Sequence, residues 1–86
     1  MPEISRFYGI VIKMYFADHN PPHFHAEYAE YVAEYDIFSL RVLAGKLPLR
    51  ADALVKEWAA RHKKELLKNW YRASVSKPLK SIEPLD

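Results

Sequence analysis

Three of the chain's four histidines lie within seven residues of one another, beside an aspartate. Residues 18–25 read DHNPPHFH. Imidazole nitrogens and carboxylate oxygens are ligands of Zn²⁺ and other first-row divalent cations, and paired histidines can also serve as general acid and base. Beside an ordinary structural role, two hypotheses therefore stay open. One is a site for a divalent metal at Asp18, His19, His23 and His25, and the other is a catalytic pair at His23 and His25.

A predicted β-hairpin positions two of these histidines. Residues 23–28 and 31–37 are predicted as two strands that follow the Pro21-Pro22 loop, and only Ala29-Glu30 separates them. Residues two apart on a strand share a face, so His23 and His25 should point the same way, about 6.5–7 Å apart. Two imidazoles could then converge on one ion or one phosphate.

The length of the hairpin turn fixes the cross-strand pairs. A two-residue turn pairs Tyr28 with Tyr31, and a slip by one residue would exchange the two faces of the hairpin. One face is then aromatic and the other carries histidines and acids. A carboxylate opposite a histidine could fix its tautomer, raise its pKa or join it as a metal ligand. The predicted pairs are His25 with Glu34, His23 with Asp36 and Phe24 with Tyr35.

The second half of the chain has the period of a helix. Apolar side chains recur every fourth residue from Leu54 to Trp70, and residues 48–73 are predicted as one amphipathic helix. Unbroken, about 26 residues would span about 39 Å, whereas a domain of this size is about 30 Å across. We therefore expect a bend around His62–Lys63 or a protruding end. His62 itself is either an ordinary buried histidine or a fourth member of the histidine site.

The predicted fold is α+β. Strands at about 7–17, 23–28, 31–37 and 40–43 form a three- to four-stranded antiparallel meander, and the helix lies across its aromatic face. The tail, residues 77–86, is docked or loose. The chain has 86 residues, no cysteine and twelve aromatic residues, so we expect one domain over 1–86 with an aromatic core and no disulfides. The longest apolar run is too short to cross a membrane, and no secretory signal is evident.

Positive charge is concentrated in the second half of the chain. Residues 50–86 carry nine Lys and Arg against five Asp and Glu, a net charge of +4, although the whole chain has only +2. Such a helix either presents an ordinary solvated face or contacts nucleic acid, and no RNP, helix-turn-helix or zinc-finger signature decides between these. The candidate contacts are Lys56, Arg61, Lys63, Lys64, Lys68 and Arg72.

Several motifs together resemble the bacterial domain of unknown function numbered 4160. They are SRFYGI at 5–10, DH at 18–19, PPHFHA at 21–26, EW at 57–58, EL at 65–66, NW at 69–70 and IEPL at 82–85. The resemblance implies a small cytoplasmic prokaryotic protein of no established activity. It also suggests one component of a toxin–antitoxin-like pair that binds a small protein partner and RNA. The histidine cluster itself supports the alternative, a histidine-based hydrolase or nuclease or a metal-binding module. Similar sequences usually carry Gly at the hairpin turn, where this chain has Ala29-Glu30.

Overall fold

A computed structural model describes residues 2–86 and contains one five-stranded antiparallel sheet and two helices. The strands follow one another in the order β1-β2-β3-β4-β5, so the sheet is a meander without crossovers. The α+β class is confirmed, with five strands rather than three or four. The elements are β1 (Glu3–Phe7), β2 (Ile10–Lys13), β3 (His23–Tyr28), β4 (Tyr31–Asp36), β5 (Val42–Gly45), α1 (Leu49–Arg61) and α2 (Lys63–Ser74).

The β3–β4 hairpin has the predicted register. Tyr28 pairs with Tyr31 across the turn, and the pairs continue along both strands. The residue that makes the turn possible is Ala29, whose φ is +52°, because a tight hairpin needs a left-handed residue in its loop. The predicted pairs His25–Glu34, His23–Asp36 and Phe24–Tyr35 are all confirmed.

The prediction of a single strand over residues 7–17 is wrong. This segment holds the end of β1, the whole of β2 and a hairpin turn at Tyr8-Gly9, and residues 14–17 lie outside the sheet. Both turn residues have positive φ, +51° and +80°, which is the backbone of a type I′ two-residue hairpin turn. The strand predicted at 40–43 lies later in the chain as β5, because the turn after β4 extends to Leu40, with φ +62°.

The predicted bend in the helix is confirmed at His62. This residue has φ −120° and ψ 24°, so the helical backbone is interrupted between α1 and α2. The longest dimension of the molecule is 33 Å, shorter than the roughly 39 Å of an unbroken helix. In the part of the chain that the structure describes, neither helix is long and apolar enough to cross a membrane.

Aromatic residues join α1 to one face of the sheet. Trp58 is fully buried, with its ring 5.4 Å from that of Phe7 and 5.9 Å from that of Phe24. Phe24 in turn stacks on Tyr35 at 5.4 Å with an interplanar angle of 10°. The helix therefore covers the aromatic face of the hairpin, as predicted, and the histidines belong to the other face.

The C-terminal tail docks on the rest of the molecule. The backbone N–H of Ile82 donates to the carbonyl of Ile4 on β1 at 2.8 Å, and the indole N–H of Trp58 donates to the carbonyl of Glu83 at 2.8 Å. Ile82 and Leu85 are buried in the core. The tail thus covers the β1 edge of the sheet and completes the core.

Candidate metal centre

A loop carries Asp18 to the first residues of β3. Residues 14–22 connect β2 to β3, and the N–H of Ala17 donates to the carbonyl of Ala73 near the end of α2 at 3.3 Å. Ala17 has φ +55°, which turns the chain back toward the sheet. The loop is therefore attached to α2 at Ala17, the residue just before Asp18.

Asp18, His23 and His25 converge on one point. Oδ2 of Asp18 lies 3.0 Å from Nε2 of His23 and 3.6 Å from Nε2 of His25. One ligand atom from each residue lies within 4.8 Å of the other two, and across residues 2–86 no other three His, Cys, Asp or Glu side chains meet in this way. The structure therefore selects two histidines and one carboxylate from the predicted set.

These separations match those of ligands on a shared ion. Two ligands at about 2.1 Å from one ion are about 3.4 Å apart at a tetrahedral angle and about 3.0 Å apart at a right angle. The observed 3.0 and 3.6 Å lie close to these values. The two distances from Asp18 to the histidines are thus those expected of ligands on one cation, and the three ligand atoms lie within 4.8 Å of one another.

The tautomer of His23 follows from its hydrogen bond to the backbone. Nδ1 of His23 lies 2.7 Å from the carbonyl oxygen of Pro21. A carbonyl only accepts, so Nδ1 must carry the proton that it donates. In the neutral ring, Nε2 then carries no proton, and its lone pair faces Asp18. A histidine whose second nitrogen donates to a backbone carbonyl is typical of metal sites, where this bond fixes the ring.

The Nε2 atom of His25 is buried without a hydrogen-bond partner. The ring is held by Tyr15, whose aromatic ring meets it edge-on at a centroid distance of 4.7 Å. Leaving a buried polar atom unpaired costs about 1–3 kcal/mol, so such atoms are rare and call for an explanation. A cation bound between His25, His23 and Asp18 would supply the missing partner.

Helix α2 closes one side of the cluster. The ring of Trp70 lies 5.3 Å from that of His23, whose side chain is only 5% exposed. Asp18 is 20% exposed and His25 17%, so the cluster is largely shielded but open on one side. The sequence pattern placed Trp70 on the apolar side of one continuous helix. Its contact with His23 was not predicted, because the bend at His62 gives α2 a different direction from α1.

The two supporting carboxylates behave differently from each other. Oε1 of Glu34 lies 3.6 Å from Nε2 of His23, its diagonal neighbour, rather than reaching its register partner His25. Asp36 instead accepts the N–H groups of Ser39 and Phe38 in the turn after β4. These bonds, chiefly that from Ser39, hold the pKa of Asp36 below its usual value. Glu34 is therefore available as a further ligand, whereas Asp36 is committed to the turn.

Asp18 is held in its charged form. Partial burial opposes ionisation, but the N–H of His19 donates to Oδ1 at 2.9 Å, and His23 and His25 add positive charge beside Oδ2 when they are protonated. Together these contacts bring the pKa of the Asp18 carboxyl below its usual value. A carboxylate is the form that binds a cation.

His19 and His62 lie outside the cluster. The side chain of His19 is 93% exposed, and its Nδ1 lies 3.3 Å from the other carboxylate oxygen of Asp18, Oδ1. His62 sits at the bend of the helix pair, where its Nδ1 lies 2.7 Å from Oε1 of Glu65 and its ring lies 5.5 Å from that of Trp58. Of the two readings of His62, the structure places it in ordinary helix packing.

The fold and site together define a small α+β protein in which a meander, a bent helix pair and an Asp-His-His cluster are combined. The chain belongs to the family described as Domain of unknown function (DUF4160), whose model matches residues 9–71. The matched segment includes all three cluster residues as well as Trp70, and it ends before the docked tail. Neither the curated proteins nor the solved structures yielded a match to this chain.

Proposed function

We propose that this protein is a metal-binding module that holds one divalent first-row cation with Asp18, His23 and His25. The observation that carries the proposal is the buried, unpartnered Nε2 of His25, which faces a carboxylate that is already shared with His23. Glu34 is the candidate for an additional ligand, since its carboxylate lies 3.6 Å from Nε2 of His23.

The ligand types favour particular metals. Two imidazoles and one carboxylate suit zinc, iron, nickel, copper or cobalt, whereas magnesium and calcium prefer sites made of oxygen atoms alone. No cysteine is present in the chain, so thiolate-selective sites are excluded. We therefore expect Zn²⁺, Co²⁺ or Ni²⁺ to bind and Mg²⁺ and Ca²⁺ to bind far more weakly.

Proton transfer by the histidine pair is the competing use of the same residues. A general acid or base must reach its substrate within about 2.6–3.2 Å, and His23 is almost fully enclosed. A charged imidazole of His23 paired with Asp18 would also account for their 3.0 Å contact. That pair would leave Nε2 of His25 unexplained, which is why we favour the metal.

Metal analysis of the full chain without an affinity tag tests the proposal. We expect about one equivalent of bound metal after incubation with Zn²⁺ and removal of excess ion. His25→Ala should lower the occupancy at least tenfold. Mutating a residue that only hydrogen-bonds to a metal ligand already lowers metal affinity about 10–100-fold, and this change removes a ligand itself. His62→Ala is the matched control, since this histidine bonds Glu65 instead, and it should retain full occupancy.

Two outcomes would contradict the metal proposal. One is wild-type protein that stays below a tenth of an equivalent of Zn²⁺, Co²⁺ and Ni²⁺ alike. The other is equal occupancy in the His25→Ala and His62→Ala variants. Circular dichroism of each variant shows whether it is folded. Asp18→Asn, which keeps the shape of the side chain but removes its charge, provides a second ligand variant.

We propose a second function for a different surface, that of an interaction component in a toxin–antitoxin-like pair of cytoplasmic proteins. Its support is a set of exposed apolar side chains along the β4–β5 side of the sheet. β5 is an edge strand that is exposed throughout, and an exposed edge with apolar side chains is a template for pairing with another chain. The residues are Val32, Phe38, Val42 and Leu43.

Co-purification with the product of the adjacent gene tests this second function. Leu43→Lys should weaken the complex at least tenfold if the partner covers β5. Leu49→Lys is the control, because Leu49 is also an exposed leucine but lies at the start of α1. Absence of any complex, or equal effects of the two changes, would count against the interaction.

A further inference from the structure

The outer face of α2 carries positive charge that the protein does not neutralise internally. We propose that this face and the docked tail form a binding groove for the phosphates of a single-stranded nucleic acid. None of the residues of this groove is a proposed metal ligand, so nucleic-acid binding does not depend on the metal. It rests on the pairing of the cations, the position of the tail and one exposed tyrosine.

Side-chain contacts within the protein divide the six predicted nucleic-acid contacts into two groups. Lys56 pairs with Asp52 at 3.3 Å, and Arg61 pairs with Glu57 at 2.9 Å. Lys63 donates to the carbonyl of Phe38 at 2.7 Å. The remaining three, Lys64, Lys68 and Arg72, form no ion pair with any acidic group of residues 2–86.

The three unpaired cations form a stripe along α2. They recur every four residues, so they stand on one side of the helix about 6 Å apart along its axis. Such a row of cations matches the charge of a polynucleotide backbone. Among residues 2–86, Glu65 is the only acid that lines this surface, and its Oε1 lies 2.7 Å from Nδ1 of His62.

The tail adds two further lysines to the stripe. The N–H of Lys77 donates to the carbonyl of Arg72 at 2.8 Å. The buried side chain of Asn69 holds the backbone of Lys80 with two hydrogen bonds, of 2.8 and 2.9 Å. Lys77 and Lys80 are therefore held beside α2 by backbone contacts, and their ammonium groups are free of acidic partners within the described chain.

Two adjoining surface cavities lie between these cations. One, of about 410 Å³, is lined by Leu67, Lys68, Tyr71, Arg72 and Lys77. The second, of about 190 Å³, shares Lys68 and Arg72 and extends to Lys80. Because Lys68 and Arg72 line both cavities, the two depressions flank this pair of cations, and Lys77 and Lys80 lie at their far sides.

Tyr71 favours a nucleic acid over an acidic peptide. Its side chain is 62% exposed although it lines the larger cavity. An exposed aromatic ring among cations is the arrangement that binds single strands, because a base can stack on the ring while phosphates contact the cations. A polyglutamate chain would use the cations but would have no ring to stack on Tyr71.

Binding of a labelled single-stranded oligonucleotide of about 12 nucleotides, a length within the usual site size, tests the groove. The readout is fluorescence anisotropy of the full chain at about 50 to 200 mM salt. Lys68→Gln/Arg72→Gln should weaken binding at least about tenfold and reduce the slope of log affinity against log salt by about 1.4. Lys56→Gln/Arg61→Gln removes the same charge from the paired residues and should weaken binding less than about twofold.

Tyr71 has its own test in the same assay. Tyr71→Ala should weaken oligonucleotide binding at least about fivefold, whereas Tyr71→Phe should leave it unchanged because the ring is retained. Circular dichroism shows whether each variant is folded, and every substituted residue except Arg72 lies at an exposed position.

Three results would overturn the proposal. The first is no binding of RNA or DNA single strands by the wild type at the lowest salt. The second is an equal loss in the two double variants, which would show a general charge effect. The third is competition by polyglutamate as strong as that by unlabelled oligonucleotide, with no effect of Tyr71→Ala, which would assign the groove to acidic peptides.

Discussion

Within the Asp-His-His cluster, side-chain length and backbone hydrogen bonds decide which acid reaches which histidine. Cross-strand register places Asp36 opposite His23, yet the shorter aspartate turns toward two backbone N–H groups. The longer Glu34 reaches diagonally to His23 instead. The pairing could be predicted from the hairpin pattern, but these rotamers could not, because they depend on the turn after β4.

The sequence predicted that Asp18 and His19 both belong to the site, but not that only Asp18 would contact the other histidines. Asp18 and His19 both precede the proline pair, and nothing in their spacing distinguishes them. The structure distinguishes them because the loop is attached to α2 through Ala17 and Ala73, which turns Asp18 inward and leaves His19 in solvent. A contact so distant in sequence leaves no local signal.

Tyr35 provides a residue-scale prediction of pH dependence. Burial raises the pKa of Tyr35 well above its usual value of 10.0, and so does the Asp52 carboxylate, which accepts a hydrogen bond from its hydroxyl at 2.6 Å. The folded protein keeps this proton where the unfolded chain releases it. This contribution to the free energy of unfolding is therefore complete below about pH 10 and is lost as the pH rises above it.

Urea unfolding at several alkaline pH values measures this effect in Tyr35→Phe. At neutral pH the variant should be less stable by about 1–3 kcal/mol, because a buried bond to a charged group is lost. Above about pH 10 it should lose stability less steeply than the wild type. Tyr71→Phe, at an exposed position, should follow the wild type. Parallel curves for wild type and Tyr35→Phe would refute the prediction.

Among the secondary-structure elements, the two hairpins show which sequence patterns allow a hairpin to be predicted. The β3–β4 hairpin was predicted because polar and aromatic side chains alternate on both strands around a two-residue gap. The β1–β2 hairpin was missed because residues 7–17 are almost continuously apolar. Its turn, Tyr8-Gly9, contains one residue that rarely adopts positive φ. A lone glycine in an apolar run is a weak signal, although here it marks the turn.

The turn at Ala29 supplies an element-scale prediction. Its φ of +52° costs a residue with a Cβ about 1–2 kcal/mol, whereas glycine adopts this region freely. Ala29→Gly should therefore raise the free energy of unfolding by about 0.5–1 kcal/mol, since the greater entropy of unfolded glycine offsets part of the relief. Urea denaturation measures the difference.

Glu30→Gly is the matched control for this turn. Glu30 is the second turn residue and does not have positive φ, so glycine there should lower stability by about 0.5–1 kcal/mol through unfolded-state entropy alone. Opposite signs for the two substitutions would support the argument, and destabilisation by both would show that Ala29 is not strained.

Across the whole molecule, the C-terminal tail connects elements that are far apart in sequence. It covers the β1 edge, caps the indole of Trp58 and places two lysines beside α2. The tail was predicted as docked or loose, and hydrophobicity alone could not decide. Its docking depends on the buried amide of Asn69, a polar group in a helix whose partners lie eleven residues away.

Ile82→Ala tests the docking of the tail. Ile82 is 4% exposed and lies in the core, so truncation should lower the free energy of unfolding by about 2–5 kcal/mol. Glu83→Ala should change it by less than about 0.5 kcal/mol, because only the backbone carbonyl of Glu83 is used, by Trp58. Chemical denaturation of both variants gives the comparison, and similar values for the two would mean that the tail does not complete the core.

The metal centre joins three parts of the molecule, namely the loop through Asp18, β3 through its histidines and α2 through Trp70. A crystal grown with Co²⁺ or Zn²⁺ and measured at the absorption edge of the metal tests it most directly. We predict one strong anomalous peak within about 2.3 Å of Asp18 Oδ2, His23 Nε2 and His25 Nε2. A crystal soaked to saturation that shows no peak there, or a peak only at His19 or His62, would contradict the account.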